Sequence, residues 1–581
     1  MKYTKKQKNA LSKSKKAASA KQKGGAKGSV VTGVLEVKRK GFGFLKTGVG
    51  EDIFISANAL NGAADGDTVE AVMLRGQRGE RAGAEVKKIL EHRSIASIIR
   101  AHGLPEKFPA AVLKEAQRVA VAVSAEEKLL RRDFCAETVF TIDGADAKDF
   151  DDAVSLRVNE NGNYLLGVHI ADVSHYVAHR SVLDSEAFKR GTSAYFADRV
   201  LPMLPESLSN GICSLVEGEE RLTVSALMEI SPNGELIARE FCPSVIKSCA
   251  RLTYAEVAGM LDGTIGTRAE LLPVLQSMRT LAEILHRKRK QRGNIDFDLP
   301  EAELILNRDG RCTDVRRRPR YISHKMIEEF MLAANEAAAE FMYKAAAPFI
   351  YRVHEEPPQE KAEDFIAFLS GLGIAFSGDS EKPQPRDFAE LLRSVAGGKL
   401  EAAVSRTALR TMSKACYMPV NKGHFGLAAQ YYCHFTSPIR RYPDLVIHRI
   451  MKDFLAVGKE CFTKYKAFAA AAANESSERE RVAERAERDA EEFKKAEFMA
   501  SQIGVRYDGI ISGVTQRGVF VELPNTCEGM IRVENLPGTG YDFNERQMRL
   551  YNKAYSFRIG DPVTVEVASV LGLKAEFSLV T

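Results

Sequence analysis

No Cys-x-x-Cys pair occurs among the nine cysteines, so neither a zinc ribbon nor a spaced disulfide framework is encoded. Scattered single thiols suit a reducing compartment, and the sequence reads as cytoplasmic. Long apolar runs are missing too. Nothing approaches the ~18 consecutive apolar residues of a membrane helix, and the stretch Ala467–Ala473 is short and alanine-rich. The start lacks the apolar segment that would make it a secretory signal. A Gly-x-x-x-x-Gly-Lys-Ser/Thr loop is also absent, so neither a nucleotide cofactor nor an ATP-driven step is expected. Residues 1–28 contain no acid at all, yet hold ten lysines.

That last imbalance reverses the meaning of the net charge. The whole chain carries +6, so everything after the Lys-rich segment is acidic overall. A Lys/Ala/Gly/Ser stretch cannot bury enough apolar surface to fold, and residues 1–29 read as a disordered tail. It is either a mobile arm that attracts phosphates without reading sequence or a solubility tail. The remainder, in a chain of 581 residues that is 45% apolar, is large enough for several domains of roughly 100–200 residues.

Residues 30–91 alternate apolar and polar positions with glycine punctuation, which predicts a small β-barrel. In the run Lys40-Gly41-Phe42-Gly43-Phe44-Leu45, Phe42 and Phe44 share one strand face. With Lys40 beside them they suit base stacking and phosphate contact, and the segment resembles a cold-shock domain. Residues 92–136 look helical and connective. Residues 137–500 open strand-rich and then become mainly helical, ending in a charged helix over Glu475–Met499. Residues 503–581 return to β and resemble the S1-type OB-fold RNA-binding module. There Phe520 would be a stacking ring, or else barrel core, and Arg517 a phosphate contact. The fold class is multidomain α+β.

Chemistry concentrates in Thr141-Ile142-Asp143-Gly144-Ala145-Asp146-Ala147-Lys148-Asp149-Phe150-Asp151-Asp152, with five carboxylates in ten residues after an apolar strand. So many like charges raise one another's pKa unless a cation intervenes, and carboxylate oxygens favour a hard divalent ion. The bland alternatives are a solvated acidic turn or a calcium loop, although the order of acids is wrong for an EF-hand. A second block, Thr436-Ser437-Pro438-Ile439-Arg440-Arg441-Tyr442, predicts a helix starting at Ser437-Pro438. Arg440 in its first turn could grip phosphate oxygens.

The acidic run, together with Gly167-Val168-His169-Ile170-Ala171-Asp172, Arg190-Gly191-Thr192-Ser193-Ala194-Tyr195-Phe196 and the block around Arg440, resembles the ribonuclease II/ribonuclease R family, and ribonuclease R more than ribonuclease II. The resemblance implies that Asp143, Asp149, Asp151 and Asp152 are catalytic and hold two Mg²⁺ ions. It makes Arg440 the residue that stabilises the reacting phosphorus, sets Arg441 on the RNA backbone and stacks Tyr195 on a base near the 3′ end; a core tyrosine is the competing view. The implied activity is processive 3′-to-5′ hydrolysis of single-stranded RNA by a monomer, with room for contacts to ribosomes or RNA-decay machinery. His169, His175 and His354 are expected to be structural, because Mg²⁺ prefers oxygen. Ribonuclease R relatives usually carry two cold-shock domains where this sequence has room for one, which casts doubt on degradation of structured RNA. An RNA-binding protein on an inactive nuclease scaffold would have lost aspartates. A DNA-directed or endonucleolytic enzyme using the same metal chemistry is a third reading.

Overall fold

The computed structural model describes residues 29–38, 42–48, 51–74, 83–297, 299–545 and 547–580; residues 1–28 of the Lys-rich tail, and Lys40, lie outside them. The first barrel comprises β1 (Val30–Val37), β2 (Gly43–Lys46), β3 (Ile53–Ile55), β4 (Thr68–Met73) and β5 (Ala84–Glu91), in the order β3-β2-β1-β4-β5. A parallel bridge between Phe54 and Gly83 brings β3 round towards β5. Alternation buries Leu35, Leu45, Ile55, Val69 and Val86 inside. It leaves Phe42, Phe44 and Phe54 half-buried on the other face as a cluster of three rings, with centroids 5.7, 5.5 and 5.9 Å apart.

The central domain is built on a sheet drawn from β6 (Arg132–Asp133), β7 (Phe140–Asp143), β8 (Asp152–Val158), β9 (Tyr164–Ala171), β12 (Glu220–Ile230), β13 (Leu236–Lys247) and β14 (Ala250–Thr253), while β10 (Ala194–Tyr195) and β11 (Val200–Leu201) form a separate hairpin. The order is β14-β7-β8-β9-β12-β13-β6, antiparallel except for the outer pairs β14/β7 and β13/β6. Its middle strands are buried on both faces, which is why β9 shows no polar alternation. His169 lies in that core between the hydroxyls of Ser155 (3.0 Å) and Ser225 (2.7 Å). Burial pushes its pKa down to about 3, so it is a neutral structural group.

Helices α1 (Leu272–Arg292) and α2 (Ile322–Lys344) pack together beside the sheet, and α3 (Tyr442–Val457) lies against β13. Helix α4 spans Phe462–Ser501, beginning well before the Glu475 expected from charge. The alanines of 467–473 carry the highest helix propensity and extend it backwards. Along one stripe Ala469, Ala472 and Ala473 enter the main core. Ala483, Ala486 and Ala490 pack on Phe196 and Leu201 beside the β10–β11 hairpin, and Phe498 and Met499 enter the core of the last barrel. At about 1.5 Å per residue, this one rod ties all three regions together.

The last barrel closes through strands Arg506–Thr515, Gly518–Glu522, Glu528–Arg532, Lys574–Leu579 and Pro562–Leu571. Val519 and Val521 fill its interior. Phe520 between them is half-buried on the outer side, and Arg517 is exposed in the adjoining turn. Among the described residues no helix is long and apolar enough to cross a membrane.

Candidate active site

Strand β7 ends at Asp143 and β8 begins at Asp152, yet the two pair only at Phe140 and Val154. The backbone between them is therefore a loop joining two strand ends; it carries Asp146, Asp149 and Asp151, with Asp143 and Asp152 at the strand ends on either side. Asp151 is 4% exposed. Its Oδ1 accepts the Ile439 amide at 2.8 Å, while Oδ2 is buried without a hydrogen-bond partner, 3.6 Å from Arg440 Nε. Asp143 Oδ2 is likewise buried and bare. The Tyr195 hydroxyl donates to Asp149 Oδ2 at 3.2 Å, and the Tyr195 amide to Glu487 Oε1 of α4 at 2.7 Å. Tyr195 itself is 40% exposed, leaving ring surface available. Asp146 is exposed, and Lys148 makes no ion pair among the described residues.

Burial dominates the electrostatics. It pushes Asp143 up to about 8, assisted by the neighbouring Asp152, and Asp152 up to about 6 against the pull of Arg440 and Arg441. Asp151 is raised as well, with Arg440 opposing the shift. Two bare, buried carboxylate oxygens are costly and fit a hard cation. Among the described residues no three acidic, histidine or cysteine side chains enclose an ion unaided.

These shifts fix a pH dependence. A carboxyl raised in the folded state holds its proton longer than in the unfolded chain, so this cluster stabilises the fold most at low pH. The contribution is lost as pH rises from the unfolded value of about 4 through about 6 and 8. The melting temperature with EDTA should therefore fall over that range, and the rise induced by Mg²⁺ should be larger at pH 8 than at pH 5. An Mg²⁺ effect that shrinks with pH would contradict the assignment.

Arg440 does not sit on a helix. Residues 438–440 form a turn closed by the Arg441 amide on the Ser437 carbonyl (3.0 Å), and α3 starts at Tyr442. Pro443 has no N–H for the Ile439 carbonyl, so a helix begun at Pro438 could not continue. Buried Asp444 holds the turn instead. It accepts the Ser437 amide at 2.8 Å and a two-point contact from Arg441 at 3.0 and 2.8 Å. Arg441 thus spends its charge on Asp444, whereas the Arg440 side chain is 42% exposed, held by Nη2 donating to Ser437 Oγ at 3.1 Å and by its ion pair with Asp151 at 3.6 Å. The Ser193 amide donates to the Arg440 carbonyl (2.9 Å), coupling this turn to the segment bearing Tyr195.

A cleft of about 1320 Å³ runs from Asp143, Asp152 and Arg440 past Tyr254 and Phe297 to Arg317 and Lys325. Tyr254 stacks on His324 at 3.9 Å. Tyr254, Glu487, Asp444 and Arg251 are marked by no motif: Glu487 reaches Tyr195 from α4, Arg251 reaches the acidic loop from β14, and Asp444 acts on its own turn. Phe54, the third ring of the first barrel, was visible as an apolar strand position but not as a neighbour of Phe42 and Phe44.

Two OB-type barrels, one before and one after in sequence a domain whose carboxylate-lined cleft presents Arg440, define a nuclease-like scaffold. Three family matches tile the chain: the Ribonuclease B OB domain over residues 33–89, the RNB domain over 131–457 and the S1 RNA binding domain over 501–571. The chain belongs to the RNB domain family. It is 40% identical to Ribonuclease R of Thermotoga maritima, over 95% of this chain and 80% of that one. It is 38% identical to Ribonuclease R of Escherichia coli, over 91% and 68%, and 44% identical to Ribonuclease R 1 of Lactococcus lactis, over 81% of this chain but only 59% of that relative. Mycoplasma genitalium RNase R in complex with ribose methylated single-stranded RNA superposes with a TM-score of 0.78 at 23% identity, covering 95% of this chain and 100% of that one. Yeast Ssd1, a pseudonuclease, gives 0.59 at 17%, covering 90% and 81%. Both structural likenesses concern the fold alone.

Proposed function

We propose that the chain is a hydrolytic 3′-to-5′ exoribonuclease that degrades single-stranded RNA processively to nucleoside 5′-monophosphates and a short end product. The observation that carries this reading is the loop at 143–152, where two bare buried carboxylate oxygens lie in a cluster faced by Arg440. A fold shared with a pseudonuclease does not by itself carry activity; the retained aspartates and arginine favour the enzyme over an RNA-binding scaffold.

In the proposed reaction Asp143, Asp149, Asp151 and Asp152 would hold two Mg²⁺ ions, which when bound supply an activated water and stabilise the leaving 3′ oxygen. Arg440 stabilises charge on the reacting phosphate. Tyr195, anchored by Asp149 and Glu487, stacks on a base near the 3′ end. Phe42, Phe44, Phe520 and Arg517, with Lys40, supply sequence-neutral stacking and phosphate contacts that let the strand advance without release. Single-stranded RNA is the partner, a monomer the state and the cytoplasm the place.

The test is a time course on 5′-labelled RNA with Mg²⁺, using a single strand and a duplex with a 3′ overhang, beside the matching DNA. Direct conversion of RNA to a short end product is expected, with DNA untouched. Tight binding without cleavage would leave the scaffold reading. Digestion through the duplex would extend the substrate to structured RNA. Tyr195→Ala should lengthen the end product by several nucleotides, since loss of one stacked base costs about 1–3 kcal/mol; an unchanged end product would return Tyr195 to a structural role.

A further inference from the structure

The two halves of the acidic loop are held by different means. Its second half is fastened from the body: Ser214 Oγ donates to the Lys148 carbonyl at 2.7 Å and accepts the Phe150 amide at 3.1 Å, and the Leu215 amide donates to the Phe150 carbonyl at 3.0 Å. Among the described residues the first half has only the Ala147 amide on the Gly144 carbonyl (3.2 Å) within the loop, and from outside it a single side chain, Arg251.

Arg251 reaches the loop because β14 runs parallel to β7, placing Arg251 opposite Thr141 and Thr253 opposite Asp143. Its Nη2 donates to the carbonyls of Gly144 (2.9 Å) and Ala145 (2.7 Å). The same guanidinium lies over the Phe150 ring at 5.5 Å, so one planar group touches the loop at both ends. The base of the residue is fixed in turn: the Arg251 amide donates to Glu217 Oε2 at 2.9 Å, and Arg268 pairs with Glu217 at 2.8 Å. Carboxylates gathered without a counter-ion repel one another, and a loop joining strands with a single register pair has little of its own to resist that.

We propose that Arg251 is a positioning residue for divalent-ion binding, stapling the first half of the loop so that Asp143 stays within reach of the aspartates at 149–152. The inference rests on the metal-dependent reading above. Two effects of Arg251 oppose each other. Its charge competes with a cation beside Asp143, so losing it would tighten ion binding; its bonds hold the ligands together, so losing them would loosen it. The geometric effect dominates, because residues that orient metal ligands typically set affinity by 10–100-fold. Lysine separates the two, since it keeps the charge but not the planar fork or the contact over Phe150.

The experiment uses the full chain as wild type, Arg251→Lys and Arg251→Met. Three readouts are taken: calorimetric titration with Mg²⁺ in the absence of RNA, hydrogen exchange of amides 144–147 in EDTA, and cleavage of labelled RNA. Both variants should bind Mg²⁺ at least about tenfold more weakly and exchange those amides faster, with KM for RNA within twofold of wild type at saturating Mg²⁺. Equal or tighter Mg²⁺ binding by Arg251→Met overturns the proposal and leaves Arg251 as a charge. Unchanged exchange in both variants overturns it too. If wild type neither takes up Mg²⁺ nor cleaves, the proposed function falls and the inference with it; a wild type that does both, beside variants that match it, defeats the staple alone.

Discussion

Asp151→Asn is expected to slow RNA cleavage by roughly 10³-fold while raising the melting temperature of the ion-free protein. Both effects follow from one environment. Asp151 Oδ1 is occupied by the Ile439 amide, which an asparagine carbonyl would still accept. The other oxygen is buried without a partner, and burial raises its pKa well above the carboxylate range. Ionising this carboxyl in the ion-free fold is therefore costly. Neutralising it removes that penalty, the usual trade between stability and a strained functional site. On the proposed function the same substitution would also remove a ligand for the ion, whose electrostatic help to phosphoryl transfer amounts to several kcal/mol, and about 4 kcal/mol corresponds to the stated loss. Single-turnover cleavage and a melt in EDTA decide it. A variant that cleaves within tenfold of wild type would remove Asp151 from the site, and a lowered melting temperature would mean that the carboxylate is structurally required.

How far the chain could be understood from sequence differs between its parts for physical reasons. The barrels were legible because strand alternation is local: Phe42 and Phe44, and Val519, Phe520 and Val521, announce their faces two residues at a time. The acidic loop was legible because its five acids fall within ten residues and the strand before it is apolar. Helix α4 was legible as a helix but not in extent, since charge marked only its second half while alanine carried the first. The turn at 438–440 was misread as a helix start because Ser-Pro is a good opening signal, and the veto came from Pro443 five residues on. The supports were not legible at all. Arg251 meets Gly144 across a parallel strand pair 107 residues away in sequence, and Glu487 meets Tyr195 from 292 residues away. A motif names the groups that do chemistry; the residues that hold them follow from topology.

Arg440→Ala is expected to lower the cleavage rate at neutral pH by about 10²–10³-fold, the typical loss when one donor to a developing oxyanion is removed, with KM for RNA changed by no more than a few-fold. Arg440 suits that role because its neighbour takes the structural work: Arg441 is locked on Asp444, while the Arg440 guanidinium is half open and its backbone carbonyl is pinned by the Ser193 amide. Lysine in its place should rescue little, since a point charge lacks the planar two-donor geometry. The variant also carries a pH signature that a merely structural role would not produce. Arg440 pulls down the pKa of both Asp151 and Asp152. Without it those carboxyls stay protonated to higher pH, so fewer are ionised at neutral pH and ion binding weakens there. The acid limb of the pH–rate profile should therefore move to higher pH in Arg440→Ala, and the deficit relative to wild type should shrink as pH rises towards 9. A deficit independent of pH would confine Arg440 to the phosphate and detach it from the carboxylates, whereas no deficit at all would place the reacting phosphorus elsewhere in the cleft.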